Sequence, residues 1–307
     1  MAPAQGRHTL IRVNVEIVAE QPTDWPHFAG STLRGAFGRA LREAACVTRQ
    51  PQCEGCPVRK HCAYGVVFDP LPPAQTLHPS FRNGLPLYVV QPPDIGAARL
   101  DTGMRQYFSI VFFPGSPQHL RLLEHVLSRT VQYHLDRPRR FKLVGVMREE
   151  IEIPPVIESV MHPAGDDLPS VMALRWRTPF RVQQGGKPIA DPRLLDATIF
   201  FRALRRRQLQ WCQITGQLPT DPSPLIDAAA QCHLDTRNLH WHDMQRRNTM
   251  KNEKVPLGGL LGAMYLHGPQ WAIRSLQPLL ELTEHIHVGK ETVMGLGQFS
   301  ANQPQHG

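Results

Sequence analysis

The sequence predicts an α+β chain of two tandem ferredoxin-like domains with a four-cysteine insertion in the first, and three observations lead there. Apolar and polar residues alternate through the first half as strand, helix, strands, helix, strand, the order of a ferredoxin-like unit. Proline and glycine cluster between Ile153 and Pro169, which divides the chain. At 307 residues it is long enough to bury two cores of ordinary size. The expected domains are 1–160, with the cysteine insertion at 46–62, and 165–307, with a glycine-rich loop.

Thr9 to Ala19, reading TLIRVNVEIVA, alternates as a strand does. After a loop rich in proline and aromatic residues, Ser31 or Thr32 is expected to cap a helix running to about Ala45. Leu33, Ala36, Phe37, Ala40 and Leu41 form its apolar face, and Arg34, Arg39 and Arg42 lie off that face. Short strands are expected near Val66 to Phe68 and Leu87 to Val90, and a stronger one over Tyr107 to Phe113. Pro117 to Tyr133 reads as a second amphipathic helix, and Phe141 to Val146 as the closing strand.

The second half opens with a strand over Val171 to Val182. A long helix from about Pro192 to Thr215 follows, carrying Arg202, Arg205, Arg206 and Arg207. A shorter helix is expected over Pro224 to His233 and a strand around Leu239 to Met244. Leu257 to Tyr265 is apolar, with Gly258, Gly259 and Gly262 permitting close approach. Trp271 to Thr283 is the last helix, and a β-type run through His285 and His287 leads into the glycine loop, where alternation would put both histidines on one face.

Lys and Arg number 34 against 26 Asp and Glu, a formal charge of +8 with a pI near 9.5, which favours a polyanion as partner. No apolar run reaches the roughly 18 residues of a spanning helix, and no secretory signal opens the chain, so a cytoplasmic protein with no membrane partner is expected. Six cysteines in a reducing compartment are then metal ligands or inert core groups. Cys46, Cys53, Cys56 and Cys62 follow a C-x6-C-x2-C-x5-C spacing whose C-x2-C centre suits two thiolates on one tetrahedral ion. A structural zinc is the first choice and an iron–sulfur cluster the second. Four thiolates leave no open position for catalysis. Cys212 and Cys232 lie in helical-looking segments and are expected to be core residues.

The loop Gly289-Lys290-Glu291-Thr292-Val293-Met294-Gly295-Leu296-Gly297 combines three glycines with one lysine. Glycine lets backbone N–H groups approach a phosphate where a Cβ would clash, and Lys290 adds a cation to the same oxyanion. Neither G-x-x-x-x-G-K-[ST] nor a third dinucleotide glycine followed by a helix is present, so no nucleotide cofactor is expected. Three further basic runs are candidates for phosphate contact: Arg137, Arg139, Arg140 and Lys142; the arginines of the long helix; and Arg246, Arg247, Lys251 and Lys254. The plain alternative for each is a solvated face.

Phe28-Ala29-Gly30-Ser31-Thr32-Leu33-Arg34-Gly35-Ala36-Phe37-Gly38, Cys62-Ala63-Tyr64-Gly65-Val66-Val67-Phe68, Thr178-Pro179-Phe180-Arg181 with the arginine-rich helix, Leu257 to Gly262, and Val288 to Gly297 occur in this order. Together they resemble the CRISPR repeat-cleaving endoribonucleases of the RAMP superfamily, over nearly the whole chain. The resemblance implies two RAMP-type ferredoxin-like domains, CRISPR repeat RNA as partner with other Cas subunits beside it, and metal-independent cleavage of precursor CRISPR RNA. In that reaction the ribose 2′-OH attacks the adjacent phosphate, leaving a 2′,3′-cyclic phosphate. It needs a base, a cation for the phosphorane charge and an acid for the leaving oxygen.

A histidine on the first helix, or in the loop before it, commonly serves as base in this family. Here the helix has none, and His27 in the preceding loop is the nearest. The catalytic candidates are therefore His27, Arg34, Arg39 and Lys290. RNA-binding candidates are Arg42, Arg139, Arg140, Lys142, Arg206, Arg246, Arg247, Lys251, Gly289, Thr292, Gly295 and Gly297. Two other readings compete: a RAMP subunit that holds crRNA without cutting it, and a metal–thiolate protein whose chemistry lies at the cysteines.

Overall fold

The computed structural model describes residues 7–96, 98–135, 140–153, 169–248 and 253–302. These gather into two compact units, the first made of 7–153 with Gln210–Gln217 and Val293–Gly295, the second of 169–209, Leu218–Thr292 and 296–302. Both are mixed α/β with antiparallel sheets. Among the described residues no helix is long and apolar enough to cross a membrane.

The first unit contains β1 (His8–Ala19), β2 (Thr23–Trp25), α1 (Gly30–Ala45), β3 (Tyr88–Gln91), β4 (Ala98–Leu100), β5 (Arg105–Phe112), α2 (Leu120–Arg129) and β6 (Phe141–Ile153). Its main sheet runs β3-β5-β1-β6, every pair antiparallel, while β2 pairs only with β4. The alternation of β1 has a direct cause. Val13, Val15 and Ile17 point into a core with Leu33, Phe37 and Leu41 of α1 and Leu123, Val126 and Leu127 of α2. Each such side chain contributes about 1.5–3 kcal/mol on burial. Between them Asn14 and Glu16 face the other side, accepting hydrogen bonds from Ser109 Oγ at 2.6 Å and Tyr107 OH at 3.0 Å.

Two expectations fail in this unit. The start of α1 is not capped by Ser31 or Thr32: the N-cap is Ala29, with no side-chain cap bond, and both hydroxyl residues lie inside the first turn. Close approach of backbone accounts for the glycine after the cap, since a Cβ on Gly30 would fall 1.9 Å from the Met294 carbonyl oxygen. Val66 to Phe68 is not a strand but the end of a π-helical turn, Tyr64–Phe68. Asp69 N–H donates to the Tyr64 carbonyl at 3.0 Å and Val66 N–H to that of Cys62 at 2.8 Å. The turn wins over a β-prone sequence because it stacks Tyr64 on Phe68 and Phe68 on Tyr88, with centroids 5.0 and 5.4 Å apart.

The second unit contains β7 (Pro169–Phe180), β8 (Gln183–Gln184), β9 (Lys187–Pro188), α3 (Ala197–Thr215, whose last turns group with the first unit), α4 (Ser223–Gln231), β10 (His233–Asp235), β11 (Leu239–His242), β12 (Gln245–Asn248), β13 (Glu253–Pro256), β14 (Gly259–Pro269), α5 (Gln270–Ile286) and β15 (Phe299–Asn302). The sheet runs β10-β14-β7-β15, with β11 also pairing β14. Phe200 and Leu204 of α3 and Ile273, Leu276 and Leu280 of α5 fill the core beneath Trp176 and Phe180, which stack at 4.1 Å. Gly262 has φ of +119°, and its Cβ position lies 2.2 Å from the Asn238 carbonyl oxygen. It sits where the β14–β7 register shifts, which accounts for a glycine inside an apolar strand.

The β-type run through His285 and His287 is corrected. His285 lies in the last turn of α5, and His287 is its C-cap with φ of +65°. Leu279, Leu282, Thr283 and Ile286 are buried at helical spacing, so the 3.6-residue period outlasts the apparent alternation. Cys212 is buried in α3, and Cys232, half-buried, is the C-cap of α4.

Candidate functional site

In the first unit the catalytic candidates gather at the start of α1 and along its polar side. His27 is exposed in the loop before the helix, and its carbonyl accepts the Gly96 N–H at 3.1 Å. Arg39 is exposed on α1. Arg34 and Arg42 are engaged elsewhere. The Arg34 guanidinium lies 4.6 Å over the Phe68 ring, and that of Arg42 5.8 Å over Tyr64. Arg42 also donates to the carbonyls of Gln50 and Pro51 at 2.5 and 2.7 Å. Cation–π stacking and these bonds give both arginines a structural task that spacing on a helix did not reveal.

Arg140 donates to Thr23 Oγ1 at 3.1 Å, while Lys142 is exposed on β6. Arg137 and Arg139 lie outside the described residues, as does Lys251. Arg246 pairs with Val255 and Arg247 with Lys254 across the β12–β13 hairpin.

In the second unit the glycine loop is built by close packing. A Cβ on Gly289, at φ +100°, would lie 2.6 Å from the Arg181 carbonyl oxygen; one on Gly297, at φ +72°, would lie 1.7 Å from that of Val288. Lys290 N–H donates to the Arg181 carbonyl at 2.9 Å and Gly297 N–H to that of Pro179 at 3.0 Å. These amides are engaged by protein, so the glycines chiefly let the loop lie flat on the end of β7. Thr292, Gly295 and Gly297 are buried, and Gly295 packs on Pro92 and the Val90 carbonyl within the first unit.

Gly297→Ala is accordingly expected to cost about 3 kcal/mol or more, by left-handed strain plus a backbone clash. Gly185→Ala, at φ +57° with nothing near its Cβ position, is expected to cost about 1 kcal/mol from strain alone. Urea midpoints of the two variants check the difference.

Lys290 is half-buried. Burial and the Arg206 charge push the lysine below its ordinary range, with Glu291 opposing. Arg206 is itself pushed down by burial.

Arg207 is 4% exposed, and its guanidinium donates to the carbonyls of Ile286 and His287, the Nε bonds both at 3.0 Å. Burial, with Arg206 adjacent, lowers it to about 9, so it remains charged at neutral pH. Arg181 donates to the Gly258 carbonyl at 2.6 Å. The sequence grouped Arg207 with a basic run read either as phosphate contacts or as a solvated face. A signal existed: Phe200, Leu204, Arg207 and Trp211 recur at helical spacing, which puts Arg207 on the buried face.

The four cysteines of the insertion line one small cavity together with Arg42, Thr48 and Arg59. In this arrangement they do not form a ligand shell, since among the described residues no group of three or more His, Cys, Asp or Glu is disposed to hold a metal.

Residues 8–168, just over half of the chain, match the AF_1859_N family model, an N-terminal domain. Residues 174–299 match the model of the CRISPR-associated endoribonuclease Cas6. No curated protein matches the sequence. Among solved structures, a chain of a partial Cas6-RT-Cas1–Cas2 complex is similar at TM-score 0.58 and 14% identity, covering 97% of this chain and 47% of that one. This chain therefore spans about half the length of that relative, and 29% of the corresponding chain in a second such complex. Thermus thermophilus Cas6 is similar at TM-score 0.56 and 14% identity, covering 96% of this chain and 99% of that one. A Cas6 product complex gives TM-score 0.54 and 17% identity, with coverage of 96% and 99%. At such identities the likeness shows the fold, a mixed α/β arrangement with antiparallel sheets like that of Cas6. The chain belongs to the AF_1859_N family and carries, at residues 174–299, a CRISPR-associated endoribonuclease Cas6 domain.

Proposed function

We propose that this protein binds the repeat of precursor CRISPR RNA in the cytoplasm and cleaves it by metal-independent attack of the ribose 2′-OH. The observation that carries the reading is the match of residues 174–299 to the Cas6 family model, which takes in the glycine loop and the half-buried Lys290. In the step envisaged, the 2′-oxygen attacks phosphorus as its proton passes to a base, for which His27 is the candidate. The phosphorane charge needs a cation beside it, for which Arg39 of the same unit is the candidate. The 5′-oxygen departs and takes up a proton, leaving a 2′,3′-cyclic phosphate and a 5′-OH. Exposed Arg39 and Lys142, and the basic β12–β13 hairpin, contribute backbone contacts to an RNA stem, which proteins read largely by shape and phosphate.

The same reading takes the chain as two tandem ferredoxin-like RAMP domains, 1–160 and 165–307. The strand order of each sheet supports it: numbered within each unit, both run 2-3-1-4, with the second strand of the second sheet split into β10 and β11. Likeness in fold to a chain of the Cas6-RT-Cas1–Cas2 complex supports association with other Cas proteins.

The test is incubation of end-labelled repeat RNA from the host's own CRISPR array with purified protein in EDTA, resolved on a denaturing gel. A single cut with a cyclic phosphate end is expected; tight binding without a cut would instead establish a crRNA-holding subunit.

Lys290 adds a pH signature. Its pKa in the free protein lies below the ordinary 10.5, and bound phosphate favours the charged form, so binding takes up a proton. Affinity for repeat RNA is therefore expected to fall as pH rises through the lowered Lys290 range. Lys290→Arg should flatten that fall, read by fluorescence anisotropy across pH.

A further inference from the structure

We propose that Cys46, Cys53, Cys56 and Cys62 bind one structural zinc ion as four thiolates, and that this ion holds the segment against which Arg34 and Arg42 of α1 are stacked. All four cysteines are free, half-buried and line a single cavity. One hydroxyl already links two of them: Thr48 Oγ1 lies 3.8 Å from Cys46 Sγ and 3.6 Å from Cys56 Sγ. Cys56 N–H donates to the Cys53 carbonyl at 3.2 Å, so the C-x2-C pair turns back on itself as a chelating pair must. Cys62 Sγ donates to the Ala45 carbonyl at 3.7 Å, which brings it to the end of α1 beside Cys46. Among the described residues the sulfurs are not disposed as a ligand shell, so the cysteine side chains would have to close on the bound ion.

A second observation shows why the segment needs a ligand. From Cys46 to Cys62 no helix or strand forms, and no residue is buried. A stretch with so little apolar burial does not offset its own ordering entropy. Yet it delivers Tyr64 and Phe68 to the aromatic stack that carries Arg42 and Arg34. A tetrathiolate ion supplies the missing free energy.

The experiment is metal analysis of the full chain purified without chelator, with its absorption spectrum, beside Cys53→Ser/Cys56→Ser and the control Cys212→Ser. About one zinc per chain is expected in the unaltered protein and in the control, and loss of most of it in the double variant. Limited proteolysis should then show new cleavage within 46–63 only in the double variant. No bound metal in the unaltered protein, iron with visible absorption, or zinc retained at full stoichiometry in the double variant would each overturn the proposal. Metal content is read independently of RNA cleavage, so failure here leaves the nuclease reading standing.

Discussion

Replacing His27 with alanine is expected to lower the rate of repeat-RNA cleavage by roughly 10²-fold or more, with RNA affinity changed only a few-fold, as for loss of a general acid–base group. The loop around His27 explains why affinity should survive. Its backbone is held by the Gly96 N–H and its neighbour Trp25 is buried, edge-on to Phe141 at 5.3 Å, so removing an exposed imidazole leaves the frame intact. Single-turnover cleavage and anisotropy, measured side by side, separate the two effects. A cut at full rate in the variant would move the chemistry to the arginines of α1, where cations alone stabilise the phosphorane. Arg34 is a poorer candidate for that part, because its guanidinium already lies on Phe68.

Arg207→Ala is expected to destabilise the second unit by about 3 kcal/mol or more, through a core cavity and two helix-end carbonyls left without their donor. Arg205→Ala provides the comparison. Arg205 is half-buried and bonds to Thr220, so its loss is expected to cost about 1 kcal/mol. Urea unfolding followed by circular dichroism checks both. Hydrogen exchange over 283–297 should rise more in Arg207→Ala than in Arg205→Ala, because Arg207 fixes the carbonyls from which the glycine loop departs. The same variant should weaken RNA binding without removing a phosphate contact.

Much of the element order was legible. The alternation of β1, the apolar face of α1 and the long α3 are local patterns, and local patterns survive folding when burial agrees with them. The Tyr64–Phe68 turn was not legible, because Val66 and Val67 carry a β-type sequence while stacking on Tyr88 rewards a helical turn. His285 and His287 misled for a related reason: two apolar residues spaced by histidine imitate a strand, and only the buried face of α5 shows that the helix continues through them.

Charge was read less well than shape. A run such as Arg205-Arg206-Arg207 looks uniform in sequence, yet Arg205 bonds to Thr220, Arg206 is half-buried and Arg207 caps α5. One turn of helix sends successive residues in different directions, so each meets a different environment. The sequence by itself determined the basic character, the two-core length, the glycine loop and the family resemblance, because composition and short-range spacing carry those. Tertiary structure alone decided which arginines stack on aromatic rings and which one is buried, because these depend on contacts between residues far apart in the chain.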